Sequence, residues 1–161
     1  MFLLFLVVSW YGWRSIQLNL LLAEMQNYYK VGQMAARKHQ PAKARALYKM
    51  AAHTWEKASK APEILFPEMG GQGYFLTAGN AYRMLRQFRR ALQCYRLGLK
   101  YDPNSVNLLT SMGISYYALG DYDNALLLLE KSSRIAPLSR YWQTVIKKLR
   151  TKTTNETAGG E

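Results

Sequence analysis

The sequence predicts an all-α helical solenoid, and three observations carry that reading. Gly79 and Gly113, Tyr82 and Tyr116, Ala91 and Ala125, and Pro103 and Pro137 all match at one offset of 34 residues. A repeat of that period is the signature of stacked helix pairs. Gly32, Ala44, Tyr48 and Ala51 keep the mutual spacing of Gly79, Ala91, Tyr95 and Gly98, which adds a degenerate copy upstream. The chain therefore holds about three copies, the number that a stable stack requires. The third observation is punctuation: Pro103 and Pro137 each close a copy, because proline cannot continue a helical hydrogen-bond ladder.

The pattern of Gly79-Asn80-Ala81-Tyr82 against Gly113-Ile114-Ser115-Tyr116, with Ala91/Ala125 and Pro103/Pro137, resembles the tetratricopeptide repeat (TPR). That family is built of antiparallel helix pairs. The resemblance implies that the glycine of each copy lets its two helices approach closely and that the alanine sits where the second helix crosses the first. It covers residues 25–152 and is specific for fold rather than for function, since such repeats bind partners far more often than they perform chemistry.

The expected order begins with a hydrophobic anchor helix over 1–24. The stretch from Phe2 to Trp13 carries no charge. It is too short to cross a bilayer, which takes about 20 apolar residues, but continuing to Leu22 supplies the length. Phe2, Leu3, Leu4, Phe5 and Leu6 would enter the membrane. Trp10, Tyr11 and Trp13 would form an interfacial aromatic belt, with Arg14 reaching the headgroups. No Lys or Arg precedes the apolar run, which argues against a cleaved signal peptide. The other reading is a helix packed on the solenoid. With a spanning anchor, the Lys/Arg asymmetry places the N-terminus outside and the repeats on the cytoplasmic side, or its equivalent inside an organelle.

In the first copy, helix A is expected from near Glu24 to Lys38 and helix B from Ala42 to about Lys60, with Pro41 in the first turn of B. The step from Gly32 to Gly79 exceeds the period by 13 residues, which predicts an inserted loop near 62–73, rich in Pro and Gly. Its Ile64-Leu65-Phe66 segment either folds back on the helix ends or serves as a contact loop. The middle copy places helices near Tyr74 to Leu85 and Phe88 to Tyr101. The last places them near Val106 to Leu119 and Tyr122 to Ile135, with Gly120 as a helix stop and Asp121 as an N-cap. After Pro137 a capping helix over 138–152 is expected, with Tyr141, Trp142, Val145, Ile146 and Leu149 on one face. Residues 153–161 read as a disordered tail.

In the TPR family the A helices line a groove. By position, the resemblance implies a partner-binding groove of Tyr29, Gln33, Leu76, Asn80, Arg83, Thr110, Ile114 and Tyr117. Family members that hold a chaperone's C-terminal carboxylate use charged and polar clamp residues. Leu76 and Thr110 depart from that pattern, which argues against this ligand.

Formal net charge is +12, from 22 Lys and Arg against 10 Asp and Glu. The excess serves solubility and orientation beside a membrane, or meets an acidic partner. Its densest run, Arg86, Arg89 and Arg90, is assigned as a basic face toward a partner or anionic lipid. Tyr48, Tyr82, Tyr95 and Tyr116 fall at core positions of the repeats, so the aromatic–basic interleaving of a nucleic-acid surface is lacking. No metal-ligand cluster, carboxylate pair, nucleophile elbow or phosphate loop is visible, and no cofactor is expected. Cys94, the single cysteine, reads as packing. The expected function is therefore non-enzymatic: a membrane-tethered scaffold or adaptor that binds other proteins, of the assembly-factor kind. The alternative is a permanent structural subunit of a large membrane complex of respiratory, photosynthetic or secretion type.

Overall fold

The computed structural model describes residues 2–60 and 71–158, with side chains over 12–60 and 73–151. Within these residues the chain forms α1 (Phe2–Arg37), α2 (Pro41–Ala58), α3 (Gly71–Met84), α4 (Phe88–Tyr101), α5 (Val106–Leu119), α6 (Tyr122–Ile135) and α7 (Arg140–Ala158). The pairs α1/α2, α3/α4 and α5/α6 are the three expected repeats, and α7 packs on the last of them. The bounds of α4, α5 and α6 fall where the sequence places them. Helix α3 begins at Gly71, inside the expected insertion, and the remainder of that insertion, with Ile64-Leu65-Phe66, lies outside the described residues. Helix α7 continues past 152 to Ala158, because neither Pro nor Gly interrupts it before Gly159.

The three turns within the repeats have one geometry. His39 (φ 56°), Arg86 (φ 61°) and Gly120 (φ 81°) each adopt the left-handed conformation. The next amide reaches back across the turn in every case: Gln40 N–H to Ala35 O at 2.9 Å, Gln87 to Tyr82 at 2.9 Å and Asp121 to Tyr116 at 3.0 Å. This is the Schellman closure of a helix C-terminus, for which glycine is the favoured residue. Asp121 then caps α6 by accepting from Asn124 N–H at 3.2 Å.

Each pair is seated on its glycine. Gly32 lies against Tyr48, Gly79 against Tyr95 and Gly113 against Leu129, all closer than a Cβ would tolerate. One large core runs through Met25, Trp55, Phe75, Tyr95 and Leu108 and so joins α1 to α5. Trp55 meets Phe75 edge-on at 5.5 Å, and Phe75 stacks on Tyr101 at 5.7 Å. Burial of such aromatic surface, about 25 cal/mol per Å², is the main stabilising contribution. Smaller clusters attach α7 through Val145, Ile146 and Leu149. Tyr141, expected on that buried face, is instead 63% exposed and packs edge-on against Trp142.

The N-terminus departs from the expected anchor. The anchor and the first repeat's A helix are one continuous helix, with no break near 24. Leu18, Leu22 and Met25 are buried in the main core. Leu18 and Leu22 therefore cannot also face lipid, which leaves 2–17 ahead of the first core residue. Sixteen helical residues rise about 24 Å, short of a hydrocarbon core of about 30 Å. Accordingly, no helix among the described residues is long and apolar enough to cross a membrane.

Candidate interaction surfaces

Helices α1, α3 and α5 pack side by side as the inner row. The outer helices α2 and α4 leave a cleft, bridged where Arg90 Nη1 meets Glu56 Oε1 at 2.9 Å. The expected groove residues lie on α1, α3 and α5, and Arg83 is the cation among them. Arg83 donates from Nη2 to Asn80 Oδ1 at 3.4 Å, while its Nε is buried with no hydrogen-bond partner among the described residues. Asn80 also accepts from the Tyr95 hydroxyl at 2.9 Å, and Gln33 donates to the Tyr29 hydroxyl at 3.0 Å. Tyr29 and Tyr48 approach with ring centroids 5.7 Å apart. Burial raises both phenols, and the nearby guanidinium opposes that rise. Helices α3 and α5 contain no Asp or Glu, so the inner row offers Arg83 no carboxylate from either.

The structure thus brings Tyr29, Gln33, Asn80 and Arg83 together, with Leu76 and Ile114 half-buried along the same row. It turns two expected groove residues to packing. Thr110 Oγ1 lies 2.6 Å from Ser132 Oγ, and the Ser132 hydroxyl donates to Val106 O, so Thr110 ties α5 to α6. Tyr117 packs between Tyr122 and Trp142 beneath the cap.

The basic face is divided in the same way. Arg90 bridges to Glu56 and lies over the Tyr82 ring at 5.5 Å, on the outer side. Arg86 lies at the turn edge, over Phe88 at 5.9 Å, and Arg89 is exposed beside it. The left-handed Arg86 was legible, since it occupies the position that Gly120 holds 34 residues later.

Of the expected membrane residues, the side chains of Phe2, Leu3, Leu4, Phe5, Leu6 and Trp10 lie outside those described. Trp13, Ile16 and Leu20 form an exposed apolar stripe at helical spacing on α1, with Trp13 63% exposed. Cys94 is buried on the floor of the outer cleft, and burial pushes its thiol up to about 12.

Comparison with solved structures identifies the fold. The TPR domain of Sgt2 from Aspergillus fumigatus is similar with a TM-score of 0.58 at 20% identity, covering 86% of this chain and 84% of that one. The TPR domain of Arabidopsis OM64 is similar with a TM-score of 0.55 at 17% identity, covering 82% and 98%. The first TPR of Spaghetti (RPAP3), bound to the HSP90 peptide SRMEEVD, gives 0.56 at 14% identity over 82% and 94%. No family model matches the sequence, and no curated protein matches it.

Proposed function

We propose that this chain is a non-enzymatic protein–protein interaction scaffold that holds a peptide segment of its partner in the groove of α1, α3 and α5. The observation that carries this reading is Arg83, whose buried Nε lacks a partner among the described residues, in a row where α3 and α5 hold no carboxylate. A half-buried guanidinium that keeps one N–H unused is a good receptor for an anion. The RPAP3 domain of the same fold is bound to an acidic peptide, which supports the same class of ligand here. Leu76 and Thr110 do not supply the clamp charges used for chaperone tails, so recognition would centre on Arg83, with Tyr29 and Gln33 beside it.

The apolar start, together with the Trp13/Ile16/Leu20 stripe, supports a tether to a membrane or to an apolar surface of a membrane protein. On this reading the protein works as an assembly adaptor at a membrane. The exposed stripe also favours a second reading, a permanent subunit whose α1 packs against a neighbouring subunit. Arg83→Gln in the full chain tests the groove. Partner co-purification should fall about tenfold while helicity is unchanged, and undiminished capture would refute the assignment. Native gel separation after gentle detergent extraction distinguishes adaptor from subunit: migration as a free monomer excludes the subunit.

A further inference from the structure

We propose that the turn edge of the repeats is a second binding surface, centred on Arg86, for an acidic protein segment that presents bulky apolar side chains beside its carboxylates. The inference rests on the chain being a protein-binding scaffold, and it does not require the groove. Two hollows flank Arg86. One, of about 330 Å³, is floored by Pro41, Met84 and Leu85 and bounded by Arg45 and Arg86. The other, shallower and of about 580 Å³, lies between Phe88 and Leu119 and is bounded by Arg86 and Arg89. Arg86 lines both, and among the described residues no Asp or Glu lines either. Met84 and Leu119 stand 43% and 44% exposed beside these cations. Apolar hollows alternating with arginines accept a segment in which apolar side chains alternate with carboxylates.

The backbone supplies an independent observation. Arg86 holds a left-handed conformation that a Cβ penalises, at the turn position where the following repeat has Gly120. Strain kept in a residue whose side chain lines two hollows is consistent with a role for that side chain in binding. The occupant is a protein rather than a lipid surface because of where the edge lies. Arg86 sits beside Ala36, near the C-terminal end of α1, whereas the apolar start is at the other end. Trp13 and Arg37 are separated by about 36 Å along that helix. A bilayer reached by the apolar start is thus remote from the turn edge.

The test uses the full chain and a fluorescent peptide of alternating Glu and Leu, with its Gln/Leu counterpart and phosphatidylserine-rich vesicles as the other probes. The Glu/Leu peptide should bind at least about tenfold more tightly than the Gln/Leu peptide. Arg86→Gly should weaken that binding about tenfold while raising Tm by about 1–3 °C, so that loss of binding cannot be ascribed to misfolding. Lys147→Gln, exposed on α7 and lining neither hollow, should leave the binding unchanged. Equal affinity for both peptides, an Arg86→Gly variant that binds like the native chain, or association with the vesicles alone would overturn the proposal. Loss of binding in Arg83→Gln, with Arg86→Gly unaffected, would also overturn it, and would place the peptide in the groove, leaving that reading intact.

Discussion

The ring of Tyr95 lies against the backbone of Gly79 so closely that a Cβ there would stand 2.3 Å from its Cε1. Tyr95 is fully buried, and its hydroxyl is held by Asn80, so the ring has no room to withdraw. Gly79→Ala should therefore destabilise the chain by about 1–3 kcal/mol, in spite of the better helix propensity of alanine. Denaturant unfolding measures this, and a variant as stable as the native chain would show that the helices separate freely.

The same buried region governs behaviour in alkali. Burial pushes the Cys94 thiol from 9.0 to about 12 and the Tyr95 phenol from 10.0 to about 12. Both groups are neutral when protonated, and the folded chain holds those protons to higher pH than the unfolded chain does. Their contribution is complete below about pH 9 and is lost as pH rises toward about 12. Tm should stay level to about pH 9 on this account and then fall. A thiol reagent at pH 8 should label Cys94 only as fast as the protein unfolds. Rapid labelling of the native chain would contradict its burial.

The regular part of the fold was legible because each repeat carries its own signals. Gly120 and Asp121 mark one turn, Pro41 marks a helix start, and glycine faces a large side chain in every pair. What resisted reading is long-range or shared between roles. An apolar N-terminus looks alike whether its leucines meet lipid or Trp55 and Phe75, and only tertiary contact assigns Leu18 and Leu22 to the core. The groove residues Thr110 and Tyr117 have partners on α6 and α7, Ser132 and Trp142, that no spacing within a single helix reveals. Arg90 likewise answers Glu56 of another repeat.

The exposed stripe on α1 gives a prediction about the tether. With Leu18 and Leu22 committed to the core, the proposed tether would rest on the apolar start and on Trp13, Ile16 and Leu20. Burying those three side chains at an interface is worth about 1.5–3 kcal/mol each. Trp13→Ser with Ile16→Ser should shift the full chain toward the soluble fraction on membrane flotation, with its melting temperature nearly unchanged. Retention of both variant and native chain in the membrane fraction would assign attachment elsewhere.

The turn geometry supplies a prediction about stability alone. His39 and Arg86 occupy the left-handed position that Gly120 occupies in the third repeat, with the same reach-back hydrogen bond in each turn. A left-handed conformation costs a residue with a Cβ about 1–2 kcal/mol. Glycine recovers this but loses part of the gain, because its unfolded chain is freer by about 0.5–1 kcal/mol. His39→Gly should therefore stabilise by about 0.5–1 kcal/mol, a rise of about 1–4 °C in Tm. The two turns belong to different repeats and share no backbone hydrogen bond among the described residues, so His39→Gly and Arg86→Gly should add to within about 0.5 kcal/mol. Differential scanning calorimetry of the single and double variants measures both terms. A fall in Tm for His39→Gly would mean that the imidazole makes a compensating interaction and that the turn is not strained.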